Sequence, residues 1–286
     1  MRLLDAFFAL RPLVLVPAWS FFLLGCDAAF PALRFGLLSA VLAGAYLVNQ
    51  VTDFESDRLN GKGLFLQRGI FTRHAYLWWG VGLAIGALGV ALLRQERFVW
   101  LGTAAALGFA YSVPPLRLVS RPGFDLAANA LGYGGVALVL GAPSLPAVGA
   151  LRFAACTLAV ACVFLHTTLL DLEGDRRTHK RTSGVALGPA AARAGAAAAG
   201  AAAVACAVAA KSPGIAAASS ATALLAAIAL LRPEVVSSRT VVVGATAAFA
   251  VAAGVRFPAF LIALFLLVVA TRLYYRHRFA LRYPAL

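Results

Sequence analysis

The chain has eleven acidic residues, and six of them fall in two five-residue windows: Asp53, Glu55, Asp57 and Asp171, Glu173, Asp175. The windows belong to a longer match. NQVTDFESDRLNGK, from Asn49 to Lys62, aligns without gaps against TTLLDLEGDRRTHK, from Thr167 to Lys180, at an offset of 118 residues. Asp53 meets Asp171, Glu55 meets Glu173, Asp57 meets Asp175, Arg58 meets Arg176, and Lys62 meets Lys180. A repeat of this kind predicts one domain, 1–286, made of two related halves, 1–118 and 119–286, that meet at one site.

On a helix, residues four apart share a face. Asn49, Asp53 and Asp57 then form one polar ridge, and Asp171 and Asp175 form another. Like charges at this spacing repel, and carboxylates near membrane depth are costly, so something positive is expected between them. Mg²⁺ meets the need: it takes oxygen ligands and bridges one or two carboxylates to substrate phosphates. Arg58, Arg176, Arg177, Lys180 and Arg181 place cations just beyond the windows. Carboxylates, metal and cations together describe a cradle for a diphosphate. The plainer alternative is that the acids neutralise basic loop residues at a membrane surface. Two matched windows, with an amide one turn before the first, weigh against it, because intramembrane ionisable residues usually mark function. Glu55 and Glu173 lie off the ridges, where nearby arginines can pair with them. Replacing Asp53 or Asp171 by asparagine is therefore expected to cut turnover and, by relieving repulsion, to leave stability unchanged or higher.

The elements that carry these windows are apolar. The chain is 62% hydrophobic and 13% charged, against about 25% charged in soluble domains, and its mean hydropathy is +0.87. Apolar stretches recur at 10–26, 33–52, 74–93, 98–113, 125–142, 152–170, 188–210, 213–231, 239–255 and 257–273. Most are long enough to cross a hydrocarbon core of about 30 Å. The prediction is an all-α polytopic membrane bundle of nine to ten transmembrane helices, with the acidic windows at the inner ends of the second and sixth. The seventh segment is mostly alanine and the ninth is short, so a half-length or re-entrant helix is the alternative for either. Gly82 and Gly86, four apart, suit close helix packing.

A net charge of +14 would suit nucleic acid, but its distribution points to a membrane instead. With the N-terminus inside, nineteen of the 25 Lys and Arg fall in inner loops or at the termini, and only Arg34, Arg94, Arg97, Arg152, Lys211 and Arg256 fall outside. The positive-inside rule then puts both termini and the acidic windows in the cytoplasm, in a cell membrane whose anionic lipids are the expected partners. The first apolar run follows Arg11 and Pro12 and continues like the others, unlike a cleavable signal. The four cysteines and four histidines show no ligand spacing.

With these motifs in place, the chain resembles the UbiA superfamily of intramembrane prenyltransferases over nearly its whole length. That family carries N/DxxxDxxxD on its second helix and DxxxD on its sixth, read here as Asn49-Asp53-Asp57 and Asp171-Asp175. RPLVLVPAWSFFLLG from Arg11 is similar to its opening helix, and YSVPPLRL from Tyr111 to its loop after the fourth. The resemblance implies a helical bundle around a central cavity with a cytoplasmic cap. It implies that Mg²⁺ holds the diphosphate of a polyprenyl donor while the isoprenoid tail lies in an apolar tunnel. Ionisation of the allylic C–O bond would give a carbocation for an electron-rich, lipophilic acceptor to attack. Carried over, Asp53, Asp57, Asp171 and Asp175 are the catalytic aspartates and, with Asn49, the metal ligands. Arg58, Lys62, Arg117, Arg176 and Lys180 are diphosphate-binding candidates, and Tyr111 and Ser112 line the cavity.

NGKGLFLQRG, from Asn60, departs from relatives that act on homogentisate or chlorophyll-type acceptors, so the acceptor is left open. The family is described with nine spans, and a tenth is expected here because the arginine-rich tail would otherwise lie outside. Two rival readings remain: a cyclase of the same superfamily that needs no acceptor, and a secondary transporter, for which charges would lie at mid-depth in broken helices.

Overall fold

A computed structural model describes residues 2–27, 29–61 and 64–283, apart from the side chain of Arg2. Every regular element among the described residues is helical. In chain order these are α1 (Arg2–Ala9), α2 (Pro12–Gly25), α3 (Ala32–Thr52), α4 (Phe54–Leu59), α5 (Leu64–Gln67), α6 (Arg73–Leu93) and α7 (Phe98–Ser112). There follow α8 (Phe124–Gly141), α9 (Ala150–Leu170), α10 (Leu172–Arg177), α11 (Ser183–Ala209), α12 (Pro213–Leu231), α13 (Ser238–Arg256) and α14 (Pro258–Phe279). A stretch of α8, Ala130–Val136, is wound as π-helix.

Helix starts follow local chemistry. Thr72, Thr182 and Ser237 cap α6, α11 and α13 by accepting the backbone N–H of Ala75, Val185 and Thr240. Proline opens α2, α12 and α14, where its missing N–H costs nothing.

Among the described residues, eight helices are long and apolar enough to cross a membrane, or nine if the bent pair α1–α2 counts as one span. The helix that length excludes is the fourth segment: α7 has 15 residues, about 22 Å at 1.5 Å per residue against a core of about 30 Å, although it runs from Arg97 at one end of the bundle to Ser112 beside Asn49 at the other. The ninth segment, expected to be short, is the 19-residue α13. The alanine-rich seventh forms the 27-residue α11, kinked where Gly188 takes φ 74° before Pro189.

The core joins α2, α3, α6, α7, α8, α9, α11, α12 and α13 around Phe22, Leu38, Val41, Leu101, Leu138 and Leu140. Its closest crossings are reciprocal glycine contacts. A Cβ on Gly44 would overlap the Gly80 carbonyl, and one on Gly80 the Gly44 carbonyl, so α3 and α6 touch backbone to backbone. A Cβ on Gly25 would overlap the Leu138 carbonyl, and one on Gly141 the Phe22 carbonyl, so α2 and α8 are equally close. Gly82 and Gly86, the pair expected to pack, face open space.

α14 is peripheral, with only 11% of its apolar window buried, but its end is anchored. Tyr275 and Phe279 pack against Phe8, Phe65 and Tyr76, beside the motif-bearing end of α3. Arg278 Nε lies 3.1 Å from Asp5 Oδ1 in α1, and the Tyr274 hydroxyl donates to the same oxygen. The described end of the chain therefore stands at the acidic end of the bundle.

At the opposite end, four of the six cations on the minority side act as helix caps. Arg34 donates to the Leu140 and Ala142 carbonyls at 3.2 and 3.0 Å, and Arg97 to Ala142 at 2.9 Å. Arg152 and Arg256 each donate at 2.8 Å, to the Leu24 and Cys26 carbonyls. They satisfy the unpaired C-terminal carbonyls of α8 and α2 and complement those helix dipoles.

Candidate active site

Asp53 ends α3 with φ −99° and ψ 15°, and Asp171 ends α9 with φ −102° and ψ 1°. At each, the chain leaves α geometry for one residue and then forms a six-residue helix, α4 or α10. The i to i−4 ladder survives the break. Asp53 N donates to Asn49 O at 2.9 Å, Asp57 N to Asp53 O at 2.8 Å, and Asp175 N to Asp171 O at 2.9 Å. Both short helices end alike, with Gly61 (φ 67°) and His179 (φ 55°) in the left-handed region. α4 and α10 pack together, and a Cβ on Gly174 would overlap the Asn60 amide.

The two motifs meet on a lysine. Lys180 Nζ lies 2.7 Å from Asp53 Oδ2 and 3.7 Å from Asp175 Oδ1, one carboxylate from each window. The three side chains are 10%, 7% and 4% exposed. Burial alone would lower the Lys180 pKa, but Asp53, Asp175 and Asp57 outweigh it and hold the ammonium above its ordinary value. Asn49 Nδ2 donates to Asp53 Oδ2 and to Ser112 Oγ at the end of α7, both at 3.1 Å. The other Asp53 oxygen, Oδ1, is buried without a hydrogen-bond partner. The positive charge expected between the windows is thus present within the chain, which alters the expected effect of removing a carboxylate.

The remaining sequence candidates divide. Asp57 and Asp171 are half-buried beside this cluster. Tyr111 is half-buried and interacts with the Asn129 side chain, Asp53 and Asp125. Arg117 is exposed, at φ 37°, and lines a cavity of about 250 Å³ with Asp53, Glu55, Arg73, His179 and Lys180. Arg176 is exposed. Arg58 and Arg177 pair with Glu55 and Glu173 at 3.0 and 2.7 Å on the surface, as the off-ridge position of those glutamates suggested. Lys62 lies outside the described residues.

Sequence reasoning missed two residues. Arg11, read there only as an inner cation and as the start of the opening-helix match, sits at the α1–α2 break with φ 54°. The break turns it inward, where it interacts with Asp57, Tyr46, Tyr275 and Tyr283. A cation placed immediately before a helix-opening proline was the available signal. Asp125 is fully buried, and its Oδ2 accepts the Ser183 N–H at 2.6 Å. This link ties the start of α8 to the start of α11 and so sets the loop of Arg117 beside that of Lys180. An acid at the edge of an apolar segment was its signal.

Among the described residues, no three Asp, Glu, His or Cys side chains stand close enough to hold an ion by themselves. The five residues expected as metal ligands do not form a ready-made cage. The donors are oxygens, and the unpartnered Asp53 Oδ1 is available to a cation. That fits Mg²⁺, which takes one or two carboxylates and fills its octahedron with water and substrate phosphate.

The description of the UbiA prenyltransferase family matches residues 14–240. A digeranylgeranylglyceryl phosphate synthase of Thermococcus gammatolerans is 30% identical over 166 residues, which are 54% of this chain and 56% of that enzyme. The match thus spans little more than half of the relative's length. A UbiA homologue from Archaeoglobus fulgidus, solved with GPP and Mg²⁺, superposes with a TM-score of 0.72 at 20% identity, covering 90% of this chain and 99% of that one. The ligand-free UbiA homologue of Aeropyrum pernix gives 0.66 at 18% identity, covering 85% and 96%. Motifs, helical architecture and the extent of the family match agree: this polytopic membrane chain belongs to the UbiA prenyltransferase family.

Proposed function

We propose that the chain transfers a prenyl group from a prenyl diphosphate to a lipophilic nucleophile within the membrane, with Mg²⁺ as cofactor. The observation that carries this is the buried meeting of the two acidic windows around Lys180, with one Asp53 oxygen left for a cation. Asp53, Asp57, Asp171 and Asp175, with Asn49, would hold the metal. When bound, Mg²⁺ neutralises the diphosphate and makes it a better leaving group. Lys180 and Arg117 line the same cavity and take diphosphate oxygens, while Arg11 approaches from the α2 side by way of Asp57. Arg58, Lys62 and Arg176 form an outer ring of cations. Tyr111 and Ser112 wall the interior behind Asn49, and the apolar core keeps water from the developing allylic cation. The relatives support the two substrates: one homologue was solved with GPP and Mg²⁺, and another relative is named for a glyceryl phosphate product.

The two windows belong to two related halves of one domain. The acidic end faces the cytoplasm, because the basic loops gather there.

Purified protein in lipid nanodiscs, given prenyl diphosphates of graded length with and without lipophilic nucleophiles, tests the reading. Acceptor-dependent prenylated product is expected, lost with EDTA and restored by Mg²⁺. Product formed from donor alone would make the chain a cyclase, and full turnover in metal-free buffer would remove the metal from the scheme.

A further inference from the structure

We propose that Lys180 is a built-in stand-in for the metal, so that Mg²⁺ binds together with the donor's diphosphate and not before it. This rests on the prenyl diphosphate reading above. The ammonium bridges a carboxylate from each window, 2.7 Å from Asp53 and 3.7 Å from Asp175. With the side chain only 10% exposed, solvent screens this charge little. A divalent ion approaching Asp53 Oδ1 would meet a carboxylate whose other oxygen is held by Lys180 and Asn49. It would also meet the repulsion of the ammonium itself. No cluster of three acids among the described residues compensates for that.

A diphosphate changes the balance. Its charge draws both cations, and the ammonium already lines the 250 Å³ cavity that it shares with Arg73 and Arg117. The Lys180 backbone is fixed: its N–H donates to Asp175 O at 2.8 Å, and His179 before it is left-handed. Only the flexible four-carbon stem has to swing from carboxylate to diphosphate. Lys180 is thus a positioning residue in the free protein and a substrate contact in the complex.

Mn²⁺, which shares the preference of Mg²⁺ for octahedral oxygen ligands, makes the exchange visible by EPR. Wild type, Lys180→Met and Lys180→Gln are titrated with Mn²⁺ in nanodiscs, with and without a non-reactive prenyl diphosphate analogue. Wild type is expected to bind Mn²⁺ alone at least about tenfold more weakly than with the analogue. Both variants should bind Mn²⁺ alone at least about tenfold more tightly than wild type, and the analogue more weakly. Lys180→Gln keeps a hydrogen-bonding group beside Asp53 and carries the test if Lys180→Met does not fold. Folded variants that bind Mn²⁺ alone no more tightly than wild type overturn the inference while leaving the prenyltransferase reading intact. If wild type takes up no Mn²⁺ even with the analogue, both fall.

Discussion

Asp53 receives Lys180 and Asn49 on one oxygen and leaves the other unpartnered in the protein interior. Its replacement by asparagine removes one of the five proposed metal ligands and the nearest counter-charge of a buried ammonium. We expect Asp53→Asn to lose at least about a hundredfold in turnover, the usual cost of a lost electrostatic contact to a transition state. Spacing alone suggested that stability would hold or rise, because four carboxylates repel. Lys180 reverses that expectation. Its charge stays buried while its nearest counter-charge goes, so stability without ligand should fall by about 1–3 kcal/mol. Thermal unfolding in detergent reads this directly, and an unchanged or raised midpoint would return the site to the repulsive picture. Glu55, paired with Arg58 on the surface, serves as the control: Glu55→Gln should shift stability by under about 1 kcal/mol and spare most activity.

At the scale of elements, helix faces decide which small residues matter. Gly80 sits in the backbone contact with Gly44 of α3, two residues from Gly82, which faces open space. Gly80→Ala should force α3 and α6 apart and cost about 1–3 kcal/mol. Gly82→Ala should be neutral or stabilise by about 0.5–1 kcal/mol through helix propensity. Because α3 ends at Asp53, the first change should also lower activity and the second should not. Equal effects from both would mean that the α3–α6 crossing is misplaced. The motif-bearing short helices have a similar dependence. Gly174 yields its Cβ space to Asn60, whereas Ser56, its counterpart in the first half, is buried with its hydroxyl donating to the Asp53 carbonyl at 3.1 Å.

For the molecule as a whole, the charge tally proposes an orientation, and the packing shows what the cations of the minority side do. Four of the six cations on the minority side cap carbonyls of α2 and α8, so they serve the bundle and need no anionic lipid. The end of α14, pinned to α1 through Asp5, lies at the acidic end. A membrane-impermeant maleimide should label His277→Cys only after permeabilisation and Gln95→Cys in intact cells. Cys26, Cys156 and Cys162 are buried and Cys206 half-buried, so a Cys206→Ala background suffices. Labelling of position 277 in intact cells would overturn the cytoplasmic placement of the acidic end.

The sequence by itself determined what depends on local pattern. Apolar length located the helices, and the four-residue spacing singled out Asn49, Asp53, Asp57, Asp171 and Asp175 as one polar set at two helix ends. Each of these is a short-range property, legible within one or two turns of chain. Tertiary structure decided which partners meet. Lys180 lies 127 residues from Asp53, and no local spacing could assign it to that carboxylate ahead of a metal. The inward turn of Arg11 depends on a left-handed break, and the choice of Gly80 over Gly82 depends on the face that α6 presents to α3. The electrostatic state of the site belongs to this second class, because it is set by the distance between two loops folded onto each other.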